Sequence, residues 1–224
     1  MKKRDWRRFF ARLLFVTLLL SIVYTIVRII QTPTSLVSDV EYIKVRSDYI
    51  LMLLQCLLGL FVMTLPSIIN RRFSIQIPSF VELLFYIFLY CAIYLGEVRS
   101  FYYLIPFWDT ILHAFSGAML GALGFSLVSM LNREVSDYVR LSPFFVALFA
   151  FSFAIAFGSI WEIYEFSMDT IFKTNMQKYM TYEGLVLIGS EALKDTMKDI
   201  IVDSLSAFFV SVLGYFQIRK GLNQ

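Results

Sequence analysis

The sequence predicts an all-α membrane protein, a bundle of six transmembrane helices. Of its 224 residues, 58% are hydrophobic and 17% aromatic. The apolar residues fall in runs about as long as the 17–25 residues that cross a bilayer core. The runs cover about 9–30, 49–69, 79–96, 106–131, 143–171 and 199–218. They leave no room for a soluble domain, so the expectation is a single transmembrane domain over 1–224.

The first run follows MKKRDWRR and stays apolar for about twenty residues, longer than the roughly 7–15 of a signal-peptide core, with no small-residue cleavage site. It is expected to be a retained span. Proline suits the flank or first turn of a helix and breaks its interior. Pro78, Pro106 and Pro143 are therefore expected to open spans three, four and five, Pro33 to lie beyond span one, and Pro66 to sit in the last turn of span two. Cys56 and Cys91 fall inside spans two and three and read as small apolar packing residues. Span four carries Gly117, Gly121 and Gly124 with Ala114, Ala118 and Ala122 between them, a small-residue pattern that lets helices approach closely. Phe101, Tyr102, Tyr103, Phe107 and Trp108 read as an interfacial aromatic belt.

Two loops are long. Residues 31–48 mix acids and bases, whereas 172–190 hold a short apolar stretch, Leu185 to Ile188, between Gly184 and Gly189. That stretch is too short to span and is expected to act as a re-entrant or interfacial lid. No internal repeat is evident.

Basic residues mark alternate loops. Lys2, Lys3, Arg4, Arg7 and Arg8 precede span one, Arg71 and Arg72 follow span two, Arg133 and Arg140 follow span four, and Arg219 and Lys220 follow span six. By the positive-inside rule the N- and C-termini are cytoplasmic, although Lys173, Lys178, Lys194 and Lys198 lie on the opposite side. The expected location is a bacterial cytoplasmic (inner) membrane, with the lipid bilayer as partner. Nothing resembles a nucleic-acid footprint.

Eight ionisable residues in or beside these runs share one end of the bundle. WDTILHAFSG sets Asp109 and His113 four apart, on one helix face. WEIYEFSMD spaces Glu162, Glu165 and Asp169 three and four apart, again on one face, and DTMKDIIVD sets Asp195, Asp199 and Asp203 at successive i+4 positions. Spans four and six begin where span five ends, so the stripes meet at one membrane face, extracytoplasmic on the orientation above. Asp109, Asp195 and Asp199 lie in or near predicted first turns, where carboxylates cap amides. Glu162, Glu165 and Asp169 approach a helix C-terminus, where the dipole opposes negative charge, and Asp203 is too deep to cap. Seven carboxylates cannot all stay ionised in a dry pocket, so a cation enters, protons are shared or water fills the site. Arg28, Arg99, Lys194 and Lys198 are candidates to offset the charge from the rim.

Asp109, His113, Glu162 and Glu165 are accordingly the candidate catalytic residues. His113, Glu162, Glu165, Asp169, Asp195, Asp199 and Asp203 are candidate ligands of a divalent metal, with Mg²⁺, Mn²⁺, Ca²⁺ and Zn²⁺ all open. A double E-x-x-H di-iron bundle is excluded by the single histidine, and H-E-x-x-H and Gly-rich phosphate loops are absent. Ser116 follows His113 by three, but a serine nucleophile also needs an oxyanion hole and an activating geometry that a sequence does not display. Metal-assisted or acid–base hydrolysis by paired carboxylates survives.

The ordered set WDTILHAFSG, GSIWEIYEFSMD and DTMKDIIVDSLSA resembles the uncharacterised bacterial membrane proteins typified by YjdF, over roughly residues 45–220. More distantly it is similar to the VanZ-like proteins, known for raising resistance to teicoplanin. In that likeness Asp109 and His113 match an Asp-x-x-x-His pair and Glu162 an acid on the next helix. Glu165 stands where a glutamine is usual, and Asp203 where an asparagine is. The reading is therefore a hydrolase or transferase acting on envelope lipids or lipid-linked cell-wall precursors. An ion- or proton-coupled transporter or channel, and a non-catalytic membrane partner, are the alternatives.

Overall fold

The computed structural model describes residues 5–32, 44–73, 77–133, 141–181 and 185–222. Lys2, Lys3, Arg4, Pro33, Arg140, Gly184 and most of the 31–48 loop lie outside them. The chain is all-α, with six helical segments long and apolar enough to cross a membrane: Trp6–Gln31, Arg46–Arg72, Ser79–Val98, Trp108–Val128, Pro143–Phe172 and Ser190–Lys220. Among the described residues no strand forms, only an isolated antiparallel bridge between Met180 and Val186. The chain divides into two compact units, one of Met1–Trp108, Thr170–Asn175 and Tyr182–Gly184, the other of Asp109–Asp169, Met176–Thr181 and Leu185–Gln224.

The first unit holds α1 (Trp6–Gln31), α2 (Arg46–Val62), α3 (Leu65–Phe73), α4 (Ser79–Leu89), a π-helical segment (Tyr90–Val98) and the short α5 (Phe101–Leu104). Asp5 starts α1 by accepting the Arg8 amide. Leu14 and Leu18 of α1, Cys56 of α2, Tyr86 and Leu89 of α4 and Ile93 of the π segment form the buried core. A Cβ on Gly59 would lie 2.5 Å from Ile93 Cδ1 and 3.1 Å from Leu18 Cδ1, so glycine there allows the close packing. Arg7 joins Glu82 in a 2.7 Å ion pair.

Two details depart from the sequence reading. Span two is broken at Met63 and Thr64, and Pro66 lies in the first turn of α3 instead of the last turn of a continuous helix. Proline has no N–H for the bond back to Val62, which favours a helix start over a helix interior. Span three widens into nine residues of π-helix, a change of hydrogen-bond register that leaves no mark in hydropathy.

The second unit is built on α6 (Trp108–Arg133), α7 (Pro143–Phe172) and α8 (Ser190–Leu222). α6 opens at Trp108, two residues after Pro106, which lies in the preceding turn and not in the helix. α8 begins nine residues earlier than the predicted span, because SEALKDTMK is helical but polar. Asp195 and Asp199 therefore stand in its second and third turns, where capping does not account for them.

α7 and α8 each bury a stripe of mostly small or acidic residues and expose bulky apolar ones. On α7 the stripe is Val146, Ala150, Ala154, Gly158, Glu162, Glu165 and Asp169. On α8 it is Asp199, Asp203, Ala207 and Ser211, while Leu205 and Phe209 are 63% and 64% exposed. This inversion of the usual soluble pattern suits surroundings of lipid. A Cβ on Gly117 would meet the Asp203 carbonyl oxygen at 2.6 Å, one on Gly121 would meet Ala207 Cα at 3.4 Å, and one on Gly124 would meet the Phe153 ring. The glycines of α6 thus set its distance from α7 and α8.

Gly117→Ala should consequently destabilise the protein by about 1–3 kcal/mol, because its methyl overpacks against α8 backbone that cannot swing aside. Gly121→Ala, one turn along the same helix, should be neutral or stabilising by up to about 1 kcal/mol through helix propensity. Thermal unfolding of both variants in one detergent checks the contrast.

Candidate metal centre

His113 stands at the middle of the acidic end of the second unit. Its Nδ1 lies 3.3 Å from Asp203 Oδ2, and its Nε2 lies 3.8 Å from both Asp109 Oδ1 and Asp199 Oδ2. The ring therefore touches its own helix through Asp109, four residues back, and α8 at two successive turns. One atom each from Asp109, His113 and Asp199 fall within 4.8 Å of one another. Ligands about 2.0–2.2 Å from a common ion lie no more than about 4.4 Å apart, so the two 3.8 Å separations of His113 Nε2 from the carboxylates are compatible with a shared ion.

Asp203 is held from several sides. Its Oδ2 faces His113, and its Oδ1 accepts the Ser116 hydroxyl at 3.1 Å, while that hydroxyl also reaches the His113 carbonyl. A Cβ on Gly158 would lie 2.8 Å from Asp203 Oδ2, and one on Gly117 would lie 2.8 Å from Asp203 Cα. Glycines on two helices thus make the space in which this carboxylate reaches the ring. In the sequence Ser116 stands out only as a candidate nucleophile, and the one signal for Gly158 is its place one turn before Glu162 on the α7 stripe.

Glu162 is 5% exposed, and neither of its oxygens has a hydrogen bond of good geometry. Thr196 is near enough to interact with it, as are His113, Asp195 and Asp109. Asp199, 1% exposed, leaves Oδ1 equally unpartnered while Oδ2 faces the histidine. Buried carboxylate oxygens without partners are costly, and a cation or bound proton relieves them.

The remaining acids are engaged differently. Glu165 Oε1 accepts the Trp161 indole N–H at 2.8 Å. Asp169, a candidate ligand by sequence, uses both oxygens to accept the amides of Met176 and Gln177 at 2.8 and 2.9 Å. It anchors the following loop, which Gln177 ties to Thr196 of α8 by a 2.9 Å side-chain bond. Asp195 is half-buried, within electrostatic reach of Lys178, Asp109, Lys198 and His113.

The compensating cations are also redistributed. Arg28 donates to the Tyr49 hydroxyl at 3.1 Å and lies over that ring, and Lys194 pairs with Glu191 on the surface. Lys178, which sequence reading counted only in the loop charge, takes a left-handed backbone with φ of 49° and donates to the Met176 carbonyl. It also lies within electrostatic reach of Glu165 and Asp195. The Leu185–Ile188 stretch, expected as a lid, pairs back on Tyr179–Thr181 through two backbone bonds, with Ile188 86% exposed.

Comparison with known proteins fits a protein of this architecture. Residues 10–220 match the family described as predicted membrane protein, DUF2238. The chain belongs to this family. It is also 27% identical over 153 residues to an uncharacterised protein of Thermotoga maritima, covering 67% of this chain and 69% of that one. No solved structure matches it. For this DUF2238 protein the chemistry must be argued from the site itself.

The chain has one histidine, so ring-¹⁵N histidine reports on one residue. Gly158→Ala should move the Nδ1 resonance of His113 markedly, because the added methyl occupies the place of Asp203 Oδ2 and the carboxylate must turn away. Gly121→Ala should leave it in place. Solution or solid-state NMR of the labelled protein in lipid tests the pair.

Proposed function

We propose that this protein is a metal-dependent hydrolase or transferase acting on envelope lipids or lipid-linked cell-wall precursors. The observation that carries the reading is the convergence of one ligand atom each from Asp109, His113 and Asp199 within 4.8 Å, on helices long and apolar enough to span a membrane. Asp109, His113 and Asp199 are the ligands. Two carboxylates and an imidazole suit Mn²⁺ or Zn²⁺ better than Ca²⁺, which prefers 6–8 oxygens. Asp203 accepts from Nδ1–H, fixing the tautomer that offers Nε2 to the ion, as acids behind metal-bound histidines commonly do.

A divalent ion there supplies Lewis-acid polarisation of a phosphoryl or carbonyl oxygen. Glu162 holds and passes on the reaction proton, since it is buried, its oxygens make no hydrogen bond of good geometry, and it lies within electrostatic reach of His113 and Asp109. Glu165, buried and steadied by the Trp161 indole, and the half-buried Asp195 complete the polar lining beside them. Asp169 positions the loop that carries Lys178. The likeness to the VanZ-like proteins in the Asp109–His113 pair and Glu162 supports an envelope substrate.

The protein resides in a bacterial cytoplasmic membrane with both termini inside, and the site opens outward. The basic residues on alternate loops support this orientation. One observation favours a second reading: unpartnered buried carboxylates such as Glu162 also suit proton- or cation-coupled transport. Metal binding with lipid turnover separates the first reading from ion flux in liposomes.

Elemental analysis after equilibration with Mn²⁺ or Zn²⁺ should give about one ion per chain. Asp109→Asn, His113→Ala and Asp199→Asn should lose it, and Asp203→Asn should weaken it by about 10–100-fold. Glu162→Gln should keep the ion and lose turnover. Affinity should fall as pH is lowered, because the ligands must be deprotonated to bind. Wild type without stoichiometric metal, or His113→Ala binding as well as wild type, refutes the proposal.

Orientation is checked by single cysteines at Arg72 and Ile188, both exposed, in a chain lacking Cys56 and Cys91. In intact cells an impermeant thiol reagent should label residue 188 and not 72. The reverse pattern places the site on the cytoplasmic face.

A further inference from the structure

A groove of about 440 Å³ lies within the first unit and shares no residue with the candidate metal centre. Its lining combines Phe15 of α1, Leu60 of α2, Ile68 of α3, Tyr86 of α4 and Met63 at the α2–α3 break with three polar side chains, Thr64, Ser67 and Arg71. The break itself follows from Pro66, which cannot continue α2. Thr64 caps the interruption by donating to the Phe61 carbonyl at 2.7 Å.

Polarity is graded along the groove. Met63, Ser67 and Arg71 are spaced four apart, so they stack on one face running through the break and along α3 toward its C-terminal end. Phe15 and Ile68, 47% and 41% exposed, leave apolar surface uncovered by the chain itself. At the polar end no carboxylate enters the lining. Arg7 is matched by Glu82 and Arg8 by Asp5, whereas the exposed Arg71 guanidinium has no partner among the described residues.

We infer that this groove binds one anionic phospholipid, with an acyl segment between α1 and the α2–α3 break and the phosphodiester at Ser67 and Arg71. Its volume is about three times that of a roughly 150 Å³ cavity that holds benzene, and falls in the usual range of ligand pockets. A guanidinium and a neighbouring hydroxyl form the charge-assisted donor set that a phosphodiester accepts. The basic residues at this end are those that face the anionic cytoplasmic leaflet under the positive-inside rule. The inference does not depend on the metal centre, because it uses none of the same residues.

Native mass spectrometry of the delipidated full-length protein tests it, using phosphatidylglycerol and phosphatidylcholine with identical acyl chains, and glycerol phosphate as the headgroup alone. Wild type should retain phosphatidylglycerol about tenfold more tightly than phosphatidylcholine, because both offer the phosphodiester but only phosphatidylcholine brings a trimethylammonium cation beside Arg71, and should not retain glycerol phosphate. Arg71→Gln, at an exposed position, should erase the preference, whereas Arg99→Gln, also exposed, should preserve it. Equal retention of the two lipids by wild type, an unchanged preference in Arg71→Gln, or glycerol phosphate binding as tightly as the lipid would each overturn the assignment.

Discussion

The second unit depends on one buried carboxylate. Asp203, 4% exposed, is reached by the His113 ring and the Ser116 hydroxyl, and it fits only because Gly117 and Gly158 present no side chain to it. A charge removed from water costs several kcal/mol unless its hydrogen bonds and counter-charge are nearly complete. The fold meets that requirement by bringing three helices together at glycine distance, so packing and polarity share one solution. The same contact turns His113 so that its other nitrogen faces Asp109 and Asp199.

From that contact the remaining arrangement follows. α7 and α8 bury small and acidic residues toward the centre and turn Phe, Leu and Ile outward, as helices do when their solvent is hydrocarbon. The C-terminal end of α7, where the dipole would repel Asp169, is made tolerable by two loop amides donated to that carboxylate. Asp169 thereby secures the loop on which Lys178 sits. Glu162 receives no such bond, and that difference between neighbours on one helix face separates a structural acid from a candidate functional one.

Much of this was legible in the sequence. Six spans followed from run length, and the i+4 spacing of Asp109 and His113, and of Asp195, Asp199 and Asp203, placed each set on a common face. Hydropathy did not reveal the early start of α8, because residues 190–198 are helical while still polar. Nor did it reveal the π segment or the break at Met63 and Thr64, which change hydrogen bonds and not composition. Roles within the acidic set were the least legible. Whether a carboxylate meets a ring, an indole or a loop amide depends on side-chain directions across helices, as Asp203, Glu165 and Asp169 illustrate in turn.

Under the proposed function Asp109, His113 and Asp199 would together hold a divalent ion. Anomalous diffraction from crystals grown with Mn²⁺ or Zn²⁺ tests it most directly. A single strong peak is expected about 2.0–2.2 Å from His113 Nε2 and from one oxygen each of Asp109 and Asp199, with Asp203 still bonded to Nδ1. A peak coordinated by Asp203 and Glu165 instead, or no peak near His113 at any concentration that saturates other sites, would contradict it.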